Sequence, residues 1–218
     1  MAGDEAMMGM GGAAHGAAAE SVWNGGVSPY AVVPKKLGMW LFIVSDAITF
    51  SALIIAYAYT RVSSVHWPRP FEGPSIANAT VMTIILLTSS ITVVMAVRAA
   101  KMDARWTAAK WLMATMLGGI LFDVLHIREW LGLIEEGVSL FANPWKVPMF
   151  GASFFALTGL HMTHVTIGVV YLGVIAWGFS KRKYTADDVE VSGLYWHFVD
   201  LVWMFLFPLI YLLSAKTA

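Results

Sequence analysis

Ionisable side chains occur in small, regularly spaced sets within the long apolar stretches of this chain. Three sets share a spacing of three residues: Asp123, His126 and Glu129; His161 and His164; and His197 and Asp200. Side chains three residues apart lie on the same face of a helix. Imidazoles and carboxyls in this arrangement could exchange protons, bind a ligand or form hydrogen bonds between helices. Each set therefore predicts that its helix turns one polar side inward.

Two further acids belong with these sets. Asp46 lies eight residues past Gly38 in an apolar stretch, roughly 12 Å deep at the rise of a helix. Glu190 immediately precedes the last apolar stretch. An ionisable group at membrane depth costs at least ~2–3 kcal/mol, so each should face a protein neighbour or water. For His197 and Asp200 we expect polar neighbours on other helices, with His161 and His164 as the leading candidates.

A purely structural interpretation remains open for every one of these residues. Interhelical hydrogen bonds can simply hold a bundle together where small residues let the backbones approach. Such small residues are abundant in the apolar stretches: Gly118, Gly119, Gly151, Ala152, Ser153 and Gly159. Proton handling and packing are therefore alternative roles that the spacing alone does not separate.

Several kinds of cofactor site are disfavoured by residue type and spacing. The chain has no cysteine, which excludes thiolate metal sites and cysteine-held iron–sulfur clusters. His161 and His164 point the same way along one helix, whereas two ligands to one haem approach from opposite sides of the iron. A haem held by histidines from different helices stays open. We expect no metal site of clustered histidines and carboxylates, because none of the histidines in the apolar stretches is adjacent to another.

Composition predicts a protein that crosses a membrane. Of the 218 residues, 58% are hydrophobic and 13% are charged, and acidic and basic residues balance at 14 each. This balance leaves no basic face for nucleic acid. Crossing a bilayer takes ~20 apolar residues, and five such stretches occur at about 38–60, 78–99, 107–134, 148–179 and 193–215. The predicted fold is an all-α bundle of five transmembrane helices over 38–218, preceded by a mobile arm at 1–37.

The distribution of basic residues predicts the orientation of the bundle, because basic loops remain on the cytoplasmic side. One side collects nine of them: Lys35, Lys36, Arg98, Lys101, Arg105, Lys110, Lys181, Arg182 and Lys183. The other side collects Arg61, Arg69, Lys146 and Lys216, with Arg128 at a helix end. We therefore expect a cytoplasmic amino terminus and a periplasmic carboxyl terminus.

The motifs along residues 37–214 resemble subunit III of the haem-copper respiratory oxidases. The first span has the family's Gly-x-x-Leu-Phe start and a serine–acid pair, here Ser45-Asp46, and the second is similar to its Asn-Thr-x-x-Leu-Leu-x-Ser-Ser run. In the third span, Glu129 matches the family acid, while His126 stands where glutamine is common. GLHMTHV and YWHFVDLVW, the latter with Glu190 upstream, reproduce the motifs of the fourth and fifth spans.

The resemblance implies a subunit without a redox centre. Family members pack on subunit I, which with subunit II holds the haem and copper; they bind phospholipid and, in some cases, support proton uptake and sustained turnover. The resemblance also implies that Asp46, Glu129 and Glu190 are candidates for the lipid and proton-related sites. His126, His161, His164, His197 and Asp200 are then candidates for an interhelical polar network. The location implied by the resemblance is the bacterial inner membrane, and a larger respiratory supercomplex is a further implied partner.

Departures from the family pattern leave the electron donor open. Asp46 in place of glutamate resembles quinol oxidase members, whereas Glu190 and Tyr195-Trp196-His197 resemble cytochrome c oxidases. Longer members also carry additional helices at the amino end. An autonomous transporter or proton channel, a membrane haem protein and a nitric oxide reductase-associated relative are the alternatives. Internal repeats, which many transporters show, are not seen in this sequence.

Overall fold

The computed structural model describes residues 34–216, and all of its regular elements are helices. Five helices are long and apolar enough to cross a membrane: α1 (Pro34–Ser63), α2 (Gly73–Lys101), α3 (Arg105–Glu135), α4 (Pro148–Ser180) and α5 (Ala186–Leu206). A π-helical turn, Phe207–Leu212, extends α5. Within 34–216 the only β-type pairing is an isolated bridge between Phe71 and Ala215. The prediction of an all-α bundle with five spans is confirmed.

Most helix ends lie beyond the predicted spans, although α4 begins at residue 148 as predicted and α5 with its π-helical turn ends at Leu212, before the predicted residue 215. The largest difference is at α5, which begins at Ala186 and not near residue 193. Thr185 and Asp188 form a capping box there, with the Thr185 backbone N–H donating to Asp188 Oδ2 at 2.9 Å. This reciprocal pairing satisfies N–H groups that a helix start leaves unpaired. The helix therefore begins about two turns before the apolar stretch that predicted it.

The π-helical turn at the end of α5 has a local cause. Pro208 lacks a backbone N–H and disfavours the regular α-helical ladder. The Leu213 N–H instead donates to the Pro208 carbonyl at 3.1 Å, five residues back. This is the hydrogen bond of a π-helix, which is commonly found as a single turn. The turn brings Ile210 and Tyr211 into the core, where both are fully buried.

Residues 39–216 belong to one compact unit whose centre is formed by α2 to α5. The backbones of α2 and α4 each approach both α3 and α5. Helix α1 joins them through large side chains: Phe50 contacts the rings of His164 at 5.4 Å and Phe198 at 6.4 Å. Phe50 and Tyr57 are the buried residues of α1. Most of α1 thus remains accessible to lipid or to another protein.

Glycines on α3 and α4 let a tryptophan of α5 enter the bundle. Trp196 is 1% exposed and lies against Gly119 and Gly168. A methyl group at Gly119 would lie 2.5 Å from Trp196 Cη2, and one at Gly168 would lie 3.0 Å from Cε3 and Cζ3. The Trp196 N–H donates to Ser89 Oγ at 2.9 Å. Small residues thus allow close packing around an aromatic ring whose polar atom is satisfied.

Residues 1–33 and 217–218 lie outside the described residues. The predicted arm, 1–37, therefore stays a prediction for nearly all its length, and residues 34–37 form the first turn of α1. The predicted orientation of the two termini also stays a prediction.

Candidate functional site

An acid and a histidine meet where α1 contacts α4. His164 Nε2 lies 3.1 Å from Asp46 Oδ2, and the side chains are 12% and 14% exposed. No donor within residues 34–216 is well aligned on Asp46 Oδ2, so this is a close polar contact and not an ideal hydrogen bond. Because the family motifs of the first and fourth spans supply one partner each, this contact joins two motifs that are far apart in the sequence.

The second nitrogen of His164 limits where the protons of this pair can be. His164 Nδ1 lies 2.8 Å from the Leu160 carbonyl oxygen. A carbonyl oxygen only accepts, so Nδ1 carries a proton. One further proton is then shared by the pair. It lies either on Asp46, beside a neutral imidazole, or on His164 Nε2, which makes an imidazolium beside a carboxylate. Both arrangements are neutral overall, which suits a pair inside a membrane.

His197 contacts α2 and not the histidines of α4. Its Nδ1 lies 2.6 Å from Ser90 Oγ. Ser90 also lies beside the carboxyl group of Asp200, which is only 7% exposed. Ser90 therefore joins the two residues of the fifth span to α2. This differs from the expectation that His161 and His164 would be their neighbours, because the inward side of this part of α5 faces α2.

Glu190 lies at the rim of a groove between α2 and α5. Its carboxylate forms an ion pair with Lys101 at 2.8 Å. The groove has a volume of about 490 Å³, and His197 forms part of its wall. The remaining lining residues are Val94, Val97, Arg98, Met102, Gly193 and Leu194. The groove thus combines apolar walls with two cations and one carboxylate at its rim.

Glu129 lies beside a second cavity, of about 330 Å³, between the start of α2 and the end of α3. Asn78 donates from Nδ2 to Glu129 Oε2 at 2.5 Å. The other carboxyl oxygen, Oε1, is buried without a partner among the described residues. Two turns earlier on α3, Asp123 accepts a hydrogen bond from Thr166 Oγ1 at 2.9 Å. The acids of α3 therefore contact α2 and α4 separately.

His126 and His161 are both completely buried among aromatic rings. His126 is stacked on Phe122 with centroids 5.5 Å apart, and His161 is stacked on Trp203 at 5.2 Å. Neither ring nitrogen of either histidine has a hydrogen-bond partner within residues 34–216. These two histidines thus differ from His164 and His197, which each have a polar contact.

Sequence reasoning missed several polar residues that hold the bundle together. Trp196 and Trp203 are core residues, and Trp203 donates its N–H to Thr83 Oγ1 at 2.9 Å. At the end of α1, Arg61 donates to the Ser214 hydroxyl at 3.0 Å. The signal for these contacts is weak, because a hydroxyl residue within an apolar run does not reveal which helix it faces.

The described residues contain no group of three or more histidine, cysteine, aspartate or glutamate side chains placed to hold a metal ion. The candidate residues instead form four separate places: the Asp46–His164 pair, the α2–α5 groove, the Glu129 cavity and the buried histidines. Each of these places lies between two or more helices, which carry different sequence motifs. The side chains at these places can form hydrogen bonds and can accept or release protons.

Comparison with known proteins identifies the family. The family described as "Cytochrome c oxidase subunit III" matches residues 6–215. The quinol oxidase subunit 3 of Bacillus subtilis (strain 168) is 32% identical over 181 residues, covering 82% of this chain and 86% of that protein. The cytochrome c oxidase subunit 3 of the same organism is 32% identical over 183 residues, covering 83% and 86%.

A relative from a different bacterium shows the same degree of similarity. The cytochrome bo(3) ubiquinol oxidase subunit 3 of Pseudomonas aeruginosa is 32% identical over 181 residues, covering 82% of this chain and 84% of that protein. Relatives named for cytochrome c and for quinol thus match equally well. Together with the five membrane-spanning helices, these matches show that the chain belongs to the subunit III family of the haem-copper oxidases.

Proposed function

We propose that this chain is the accessory subunit III of a proton-pumping haem-copper terminal oxidase, packed on subunit I and associated with subunit II. The observation that carries the proposal is the family match over residues 6–215 on a chain with five membrane-spanning helices. We place it in the bacterial inner membrane with its amino terminus in the cytoplasm. A cytochrome c oxidase is the first candidate for the complex, and a quinol oxidase is the alternative.

We assign this chain an accessory and not a catalytic role, because the family resemblance implies that haem and copper are held by subunits I and II. His164 and His197 contact Asp46 and Ser90, which suits a role in packing between helices. The accessible surface of α1 is available for packing against such a partner or for lipid.

Purification of the tagged chain in mild detergent tests the assignment. We expect subunits I and II to co-purify, together with a reduced-minus-oxidised haem spectrum that is lost when the chain is separated from them. The subunit II that is recovered identifies the electron donor. A colourless chain recovered alone would favour a transporter, and a chain that keeps haem after separation would make it a cytochrome.

The α2–α5 groove is our proposed site for a phospholipid. Apolar walls suit acyl chains, while Arg98 and Lys101 at the rim suit a phosphate, because basic pockets between membrane helices recognise lipid head groups. His197 lies seven residues beyond Glu190 along α5, about 10 Å deeper. Its exposed edge is therefore available to the polar glycerol region of the same lipid.

Native mass spectrometry of the complex tests the lipid site. Arg98→Gln removes a rim charge, so we expect fewer phospholipids to be retained per complex. Lys110→Gln is the matched control, since Lys110 is an exposed basic residue on the same predicted side of the membrane but outside the groove. Equal lipid retention in the two variants would contradict the assignment.

The Asp46–His164 pair is our proposed site for the support of sustained turnover. A single proton distinguishes its two neutral arrangements, and Asp46→Asn removes the ability to exchange it while keeping the size of the side chain. We expect a normal initial rate of oxygen consumption and fewer turnovers before inactivation. Asp123→Asn, at an acid that binds Thr166, is the control. Equal durability in both variants would limit Asp46 to packing.

A further inference from the structure

The centre of the bundle contains polar atoms that the surrounding protein does not satisfy. His126 and His161 are both 0% exposed, and all four of their ring nitrogens lack a hydrogen-bond partner within residues 34–216. The same holds for the hydroxyl of Tyr211, which is also 0% exposed. A neutral imidazole has one N–H donor and one acceptor nitrogen. The core therefore presents donors and acceptors from two helices and from the π-helical turn.

These groups surround a single indole ring. The ring centroid of Trp203 lies 5.5 Å from that of His126, 5.2 Å from that of His161 and 6.0 Å from that of Tyr211. Phe122 packs against the same ring at 4.7 Å. We call the three polar side chains, His126, His161 and Tyr211, the Trp203 cluster. Their common neighbour places them in one small region between α3, α4 and α5.

The nearest indole donors are already engaged elsewhere. Trp203 donates its N–H to Thr83, and Trp130, whose ring lies 5.7 Å from His126, donates to Thr158 Oγ1 at 3.2 Å. Rotation of either indole toward a histidine would break an existing buried hydrogen bond. Neither tryptophan can therefore satisfy the cluster without leaving another buried group unpaired.

A dry cluster would be unfavourable. A buried donor or acceptor without a partner costs about 1–3 kcal/mol, and buried polar groups in proteins are almost always satisfied by protein or by ordered water. Buried waters typically bridge otherwise unsatisfied polar groups through two to four hydrogen bonds. Two imidazoles and a phenol around one ring offer such a set of groups.

We propose that the Trp203 cluster is an internal water site, in which ordered water bridges His126 and His161 and reaches the hydroxyl of Tyr211. The ligand is water, held by imidazole nitrogens and a phenol inside a wall of aromatic rings. The inference does not depend on the identity of the electron donor or of the lipid. It assigns a role to two buried histidines whose ring nitrogens have no hydrogen-bond partner in the described part of the chain.

The Trp203 cluster lies between the Glu129 cavity and the Asp46–His164 pair. On α3, Glu129 lies one turn beyond His126 and lines the cavity beside Asn78. On α4, His164 lies one turn beyond His161 and contacts Asp46. Water at the cluster therefore completes a line of polar groups from the Glu129 cavity to the Asp46–His164 pair. Such a line would give protons a route toward Asp46.

Two substitutions at one position separate a hydrated cluster from a dry one. His126→Gln keeps a donor and an acceptor, whereas His126→Leu removes both. If water bridges the histidines, leucine leaves the water and His161 with too few partners, and the complex melts at a lower temperature than with glutamine, by about 2–4 °C. If the cluster is dry, leucine removes two unsatisfied groups and the complex melts at the same or a higher temperature.

The experiment uses the intact oxidase complex, with thermal melting and cryo-electron microscopy as readouts. The matched control is the same pair of substitutions at His66, an exposed histidine in the loop after α1, where we expect equal melting temperatures. In the wild-type map we expect ordered density within hydrogen-bonding distance of both His126 and His161. Absence of that density in a map that resolves other buried waters would overturn the proposal. So would a leucine variant at least as stable as the glutamine variant. If the leucine variant does not assemble, the wild-type map decides.

Discussion

Gly119→Ala tests whether close packing around Trp196 holds α5 in place. The added methyl would lie 2.5 Å from Trp196 Cη2 and 2.7 Å from Val169 Cγ2. Trp196 cannot move away easily, because Gly168 lies so near the ring that a methyl group there would be 3.0 Å from Cε3 and Cζ3, and because Ser89 accepts its N–H. Overpacking of this kind costs about 1–3 kcal/mol, while alanine regains about 0.5–1 kcal/mol of helix preference.

Subtracting the gain from the cost leaves a net loss of about 0–2.5 kcal/mol, with a middle value of about 1 kcal/mol. For a chain of this size that middle value corresponds to a melting temperature lower by about 2–4 °C. Trp196 and His197 are adjacent on α5, so a shift of Trp196 would also displace His197 from Ser90. We therefore expect less of the variant chain to be retained in the purified complex. Retention is measured by the ratio of this chain to the other subunits after size-exclusion chromatography.

Gly132→Ala is the control on the same helix. A methyl group at Gly132 would have no atom within 4 Å, so only the gain in helix preference remains, and we expect an unchanged or slightly higher melting temperature. Opposite signs for two identical substitutions on α3 would identify the contact with Trp196 as the cause. If Gly119→Ala were tolerated as well as Gly132→Ala, the reasoning about close packing would be refuted.

Two further predictions concern a membrane-buried serine and a loop ion pair. Ser90→Ala removes the hydroxyl that contacts His197. The imidazole of His197 is half-buried, so leaving it unpaired costs part of the about 1–3 kcal/mol that a fully buried group would lose, and retention in the complex should fall. Thr88→Val, at an exposed position of the same helix, should leave retention unchanged, and equal retention of the two variants would contradict the role of Ser90. A hydrogen bond from Lys216 lowers the pKa of Glu72 from its usual value of 4.5. Because a lowered acid pKa stabilises the folded state above the unfolded pKa, this contribution is lost as the pH falls through the folded pKa. We expect the protection of backbone amides near residue 216 against hydrogen exchange, taken relative to the intrinsic rate at each pH, to fall below about pH 4.5. This loss of protection should be absent in Lys216→Gln. The same acid dependence in that variant would assign the effect to another group.

The spans were predictable because the requirement that produces them is local. About twenty apolar residues are needed to cross a bilayer, and each helix satisfies its own backbone hydrogen bonds. The start of α5 was placed too late because its amino end is polar. Thr185 and Asp188 nevertheless form a capping box, a pattern of serine or threonine followed by an acid that can be recognised in sequence.

The partners of the polar residues were not predictable to the same degree. The spacing of His197 and Asp200 indicates a shared helix face, but a face can turn toward any neighbouring helix. The structure turns it toward Ser90 of α2 and leaves His161 against Trp203. The rotation of α5 is decided by packing, in particular by the fit of Trp196 against Gly119 and Gly168.

The sequence by itself determined the five membrane-spanning helices, the polar side of each helix and the family to which the chain belongs, because composition, periodicity and motif order are properties of contiguous residues. Only the tertiary structure decided that Asp46 contacts His164, that His197 and Asp200 face Ser90 of α2, and that the ring nitrogens of two histidines have no partner among residues 34–216. These contacts join residues from different helices, and their geometry follows from how close the backbones approach and how each helix is rotated. Both quantities depend on the packing of the whole bundle.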